Sequence, residues 1–452
     1  MVLGVIGAAQ AQNIAIGGGT GTALDPYIQG TAIVGGLGSV AIGTVAEANG
    51  KYNVAIGDHA TATGTKGATA VGQHSVASGN YGTAFGAGAK AIGDGATATG
   101  NGAVATGELS TATGYYAEAH GQSSVAIGVH AGQGSLDTNY QNNALGSAAG
   151  QSVTGNNNIA SGTRAGQTVS GDNNNASGTN AGQNVSGHLN SASGTNAGQN
   201  VSGNANNASG TSAGQSVSGS YNNANGQGAG IRVTGDYNSG FGAGAGANVS
   251  GSNNLGLGRA AGQAVNGNSN TGIGISAGQN VSGTGNMANG ASSGRFVTGN
   301  SNSAFGSAAG SSVNGSNNLA NGTSAGQHVT GNNNNASGYL AGAHVSGNDN
   351  ITSGTSAGIS VTGNNNVASG TNAGNGITAN NTVAIGTNAT ASISNNVAMG
   401  SGSVDKAAVQ VNSATIVNNQ GTSYTYGGFA GTASGVVSVG DAGAERQIVN
   451  VA

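Results

Sequence analysis

The sequence predicts an all-β protein: a parallel β-roll, or solenoid, wound from coils of fourteen and of sixteen residues. Three observations carry this expectation. A glycine stands at every sixteenth residue from Gly146 to Gly386 without a break. Upstream, glycines fall seven apart, at 43, 50, 57 and 64 and then, after one extra residue, from 72 to 128. The composition disfavours the alternatives, with 91 glycines, one proline and no tryptophan in 452 residues. A short fixed period means that each repeat is one coil stacked on the last. Large apolar residues are too few for a thick globular core. The high net charge of a disordered chain is also missing, since 13 acidic and 9 basic residues leave only −4.

Taken in order, residues 1–39 form the start of the chain or a cap. The apolar run Met1 to Ala11, with Ala9-Gln10-Ala11 as a small-residue cleavage site, reads as a signal-peptide remnant or as the lead into a first coil. From 40 to 128 each glycine closes a tripeptide x-Ala-x, such as Val40-Ala41-Ile42, Val54-Ala55-Ile56 and Thr61-Ala62-Thr63. Three alternating residues and a glycine make a short strand and a corner, and two strands make one coil. A middle position that takes only alanine is one where two walls press together, so the alanines point inward and their neighbours outward. Residues 129–145, with Leu136, Asp137 and Tyr140, interrupt the beat as an insertion. From 146 to 400 the sixteen-residue coils follow. One strand keeps alanine (Ala160, Ala176, Ala192) and the other places valine inward (Val153, Val169, Val185), with the extra length around Ala165-Gly166-Gln167. Asparagine corners such as Asn156 to Asn158 are expected to stack into amide ladders along the axis. The repeats stop after Gly400, and apolar residues gather in 401–452.

Outward apolar flanks need cover, because an uncovered stripe invites aggregation. A rotationally symmetric oligomer would cover the same stripe on every chain at once. Val40, Ile42, Val54, Ile56, Val125 and Ile127 are therefore expected at an interface between copies. Leu145, Phe241, Leu257, Ile273, Phe305 and Ile385 supply further apolar contacts in the longer coils.

No catalytic constellation is present, and the reading assigns no enzyme activity, no cofactor and no metal. His328 and His344, sixteen apart, should lie roughly 5 Å from one another on neighbouring coils. Their column also holds Asn184, Ser216, Arg232, Asn248 and Phe296, a variability that suits a solvent face better than a metal ladder. Arg164, Arg232, Arg295, Phe296, His328, Leu340 and His344 break an otherwise uniform Ser, Asn and Thr surface, and are the candidate ligand face. The weak charge offers no footprint for nucleic acid. No apolar run is long enough for a spanning helix.

The strands Val-Ala-Ile-Gly at 54–57, 125–128 and 383–386, with Val397-Ala398-Met399-Gly400, resemble the head of trimeric autotransporter adhesins, the YadA-like family. The tail from Val437-Ser438-Val439-Gly440 through Glu445-Arg446-Gln447-Ile448 to Ala452 is similar to the neck of such proteins. Tyr424 to Thr432 is similar to an insert that precedes it. The resemblance implies a left-handed parallel β-roll, a homotrimer, and a neck in 401–452 that buries Ile448 and Val451 between chains. Arg446 is then expected to pair with an acidic residue such as Asp441 or Glu445, across or near that interface. It also implies a bacterial cell-surface location, with the outer membrane reached only through a C-terminal anchor that this chain does not carry. The implied function is non-enzymatic attachment to matrix protein, host cell or surface by multivalent contacts of a rigid trimeric rod. The alternatives are a structural spacer of a surface or phage fibre, or an ice-binding solenoid, the latter suggested by Thr97/Thr99 above Thr111/Thr113.

Overall fold

A computed structural model describes residues 14–16, 33–411, 413–428 and 433–450. The signal-remnant reading of 1–11, the expectation for Val451, and Phe429 to Thr432 of the tail insert lie outside the described residues. Among the described residues every regular element is a β-strand and none is a helix, so the chain is an all-β parallel solenoid. It divides into two units, Met1–Asn238 and Ser239–Ala452.

In the first unit, three-residue strands run from Val40–Ile42 to Asn223–Asn225, each paired in parallel with the next. Alanine lies beside alanine along the row: Ala41 by Ala55, Ala98 by Ala112, Ala160 by Ala176. All six are buried. The other wall is a row of two-residue strands, with alanine inward from Glu47–Ala48 to Glu118–Ala119 and valine inward from Val169–Ser170 to Val233–Thr234. Coil length changes without disturbing this register. Val40 pairs with Val54, Val54 with Thr69, Val125 with Asn143 and Asn143 with Ile159. Insertions are absorbed at corners because a one-residue slip inside a strand would turn every alanine outward. The insertion at 129–145 is pinned by His120, whose Nδ1 lies 2.9 Å from Asp137 and whose Nε2 lies 3.0 Å from Glu118. The Gly134 amide donates to the same Glu118 carboxylate.

In the second unit a row of three-residue strands runs from Ser239–Phe241 to Val397–Met399, with glycine at the inward position at Gly240, Gly256 and Gly272. Val383 pairs with Val397, a return to fourteen residues, and Val397 then pairs with Val437. The chain between leaves as an antiparallel hairpin, Ser413–Val417 with Ser423–Gly427.

Corners explain the difference between the two coil lengths. A fourteen-residue coil turns through two positions with φ near +60°, as at Tyr52 and His59; a sixteen-residue coil has four, as at Asn157, Arg164, Gly166 and Thr168. The two added residues thus create a third corner, around Gly166 and Thr168. Glycine is demanded beside these corners by contact as well as by φ. At Gly162 (φ +129) a Cβ would lie 2.6 Å from the carbonyl oxygen of Gly178, and at Gly182 (φ +58) it would lie 2.7 Å from Ala176 Cβ.

The expected amide ladder is present inside the coils. Asn206 donates through Nδ2 to Asn190 Oδ1 (3.0 Å) and to the Gly219 carbonyl (2.9 Å). Its own Oδ1 accepts the Asn222 backbone amide and Nδ2. The motif recurs from Asn158 to Asn238 in the first unit and from Asn254 to Asn366 in the second, where Thr382 ends it by donating to Asn366 Oδ1 at 2.7 Å. Beyond, buried Asp405 accepts from the Ser392 and Ile393 amides, the Ser392 hydroxyl and Asn396. Burial alone would raise this carboxyl, but these donors outweigh it and hold it below its ordinary 3.8. A second ladder, of glutamines, runs outside: Gln183 donates to Gln167, Gln199 to Gln183 and Gln215 to Gln199. It was not legible in the sequence beyond the recurrence of Ala-Gly-Gln.

Candidate functional site

The solenoid presents two surfaces that could bind. The first is the outer face of the three-residue strands, where the flanks of each inward alanine point. In the first unit Ile42 lies beside Ile56, and Ile127 beside Leu145, with Val40, Val54 and Val125 in the same strands. All seven are half-buried or exposed on the single chain. In the second unit Phe241, Leu257 and Ile273 lie side by side on successive strands, and Phe305 and Ile385 occupy the same flank further along. The structure therefore brings the expected interface residues of each unit onto one sheet face. It adds the opposite flank of the longer coils, where the spacing pointed only to the third strand position: Ile159 in the first unit, and Met287, Leu319 and Ile351 in the second, all exposed.

The second surface is the edge built by the left-handed corners on either side of Ala165-Gly166-Gln167 and its equivalents. Backbone bonds place each corner above its counterpart; the Arg164 amide donates to the Ser147 carbonyl at 2.9 Å and the Arg232 amide to Gln215 at 2.8 Å. Arg164 and Arg232 are exposed corner residues of the first unit. In the second unit Phe296, His328 and His344 share one corner column and Leu340 stands on the other. The His328 and His344 rings stack 4.7 Å apart and 2° from parallel, matching the spacing expected of neighbouring coils. Arg295 differs from the other six. It stands in the glutamine column, where Gln279 donates to Gln263, and its guanidinium carbon lies 4.9 Å over the Phe296 ring. Its Nε is buried without a hydrogen-bond partner.

Two features of the corners escaped the sequence reading. Tyr221 and Tyr237, both exposed, stack at 4.9 Å and 2° on the remaining corner column. Their sixteen-residue spacing was the available signal, hidden among asparagines. Asp58, His59 and His74 meet on neighbouring coils; fifteen residues separate the histidines, so neither coil period would have paired them.

In the single chain the tail gives Arg446 other partners than the acidic residues expected across or near the interface. Arg446 does not meet Asp441 or Glu445 there: its guanidinium donates to the Ser401 and Val439 carbonyls and to Ser403 Oγ, closing the last coil. Asp441 instead lies 3.8 Å from Lys406. Ile448 is 72 % exposed on the single chain. Among the described residues no helix is long and apolar enough to cross a membrane.

No curated protein matches the chain. The YadA head domain repeat matches residues 35–60, 54–75, 66–89, 91–107, 105–131 and 378–403. These are stretches where the coils hold fourteen or fifteen residues and the inward position is alanine. These stretches of the chain therefore carry YadA head domain repeats.

Proposed function

We propose that this chain is a non-enzymatic adhesin head, displayed on a bacterial cell surface as a parallel homotrimer and attaching the cell by many weak contacts. The coarser part follows from the family, which is one of structural adhesin domains rather than of enzymes. The observation that carries the finer reading is the pairing of two surfaces on one scaffold. One is an apolar strand face, with Ile127 and Leu145 exposed at 42 % and 44 % in the single chain. The other is a corner edge whose side chains repeat at coil spacing. The first suits self-association about a common axis, the second multivalent attachment. Anchorage through a C-terminal membrane segment is part of the same proposal.

The test is twofold. Light scattering on the purified chain should give three times the chain mass. Binding to immobilised matrix proteins, cultured cells and bare glass should fall steeply when the same chain is diluted to monomer. A monodisperse monomer, or no retention on any of the three surfaces, would overturn the reading. A second reading, a spacer, is favoured for the sixteen-residue coils by strands whose outward flanks are Asn and Ser, such as Asn175–Ser177 and Asn207–Ser209. Deleting whole coils there should leave binding unchanged if they only extend the head.

A further inference from the structure

We propose that Asp58, His59 and His74 form a binding site for a divalent transition-metal ion such as Zn²⁺, bridging two successive coils. Ligand atoms of the three side chains all lie within 4.8 Å of one another. Two of them are already close to coordination spacing. His59 Nδ1 lies 3.0 Å from Asp58 Oδ1, while ligands on a tetrahedral zinc with bonds of about 2.0–2.1 Å sit roughly 3.3 Å apart. The third is brought in by the fold. The His74 amide donates to the Asp58 carbonyl at 2.8 Å, and both histidines occupy the same left-handed corner, with φ of 56° and 54°. Their rings stand 4.9 Å apart but tilted by 31°, so a small rotation of exposed side chains converges their nitrogens. Gln73 Nε2 lies 3.5 Å from Asp58 Oδ2 and steadies the carboxylate from outside, as partners of metal ligands commonly do.

The corner is also open. The next coil places Gly88 over His74, so no side chain stacks on His74 from that side. Two imidazoles, one carboxylate and one free position form a donor set suited to zinc and neighbouring ions, and poorly suited to calcium or magnesium. The His328–His344 pair supplies the contrast. Its rings are stacked nearly parallel, and among the described residues it gathers no carboxylate within ligand distance.

Calorimetric titration of the full chain with zinc chloride tests this. The expected result is one saturable ion per chain. Affinity should fall at least tenfold in each of His59→Asn, His74→Asn and Asp58→Asn, with no change in His328→Asn or His344→Asn. Asparagine is chosen for the histidines because it tolerates the left-handed corner and already fills many such corners here, so the coils should stay wound; circular dichroism checks that. Replacing zinc with Co²⁺ should give visible absorption of a low-coordinate site that the His59→Asn/His74→Asn double variant lacks. The proposal is overturned by absence of saturable binding, by binding that the double variant retains, or by binding that tracks His328 and His344 instead.

Discussion

Asn206 shows how much one side chain does in this fold. It is buried, and its amide makes four bonds that join three coils. Asn206→Leu fills the space but leaves the Gly219 carbonyl and the Asn222 donors unpaired. Such losses cost about 1–3 kcal/mol, and a lowered midpoint in urea unfolding should report it. Gly182→Ala should also destabilise. An L-residue in the left-handed region costs about 1–2 kcal/mol, and the new methyl would press on Ala176. Asp405 adds a pH dependence. Its folded carboxyl lies below the ordinary 3.8, so the unfolded chain binds its proton first as pH falls. The stabilisation is present above about pH 4 and is lost as pH drops through the folded value. Acid unfolding followed by circular dichroism should show this fall in the natural chain and a flatter profile in Asp405→Asn.

At the scale of the element, the unit is the coil and not the strand. Each three-residue strand is too short to persist alone, and gains its bonds only from the coil on either side. Removing residues 178–193 takes out one whole coil and rejoins Ser177 to Gly194, an existing junction type. The array should refold with its ladders intact and a similar melting temperature, as expected where stability is a sum over neighbours. Removing only 178–185 sets a valine strand over an alanine strand and breaks the asparagine column. That variant should lose its cooperative transition. The alternation of inward alanine with outward flanks, and both coil lengths, were readable because strand side chains alternate with a period of two. The third corner was not, because a left-handed position is taken here by Arg164, Leu340, Phe296 and His328 as readily as by Asn or Gly.

For the whole molecule, the apolar strand faces and the tail decide the assembly. The strand Val437–Ser438 closes the last coil of its own chain, held by Arg446, while Val437, Ile448 and Val449 are left exposed on the single chain. In the proposed trimer these residues meet other protomers. Deleting 436–452 should then lower the melting temperature and make the mass seen by light scattering fall on dilution, since a dimeric or trimeric fold is stabilised by mass action. An unchanged trimer with unchanged melting would remove the neck from the assembly.

Periodicity by itself determined the solenoid, the two coil lengths, the inward alanines and valines and the asparagine ladder. All of these follow from local spacing repeated many times, and one coil predicts the next. Tertiary structure decided where the irregular residues meet. Arg446 turned to backbone carbonyls, His120 to two carboxylates, and His74 to Asp58 across a coil of odd length. Such contacts depend on how corners absorb inserted residues while the strands keep register, and that balance is set by stacking between coils rather than by any one repeat.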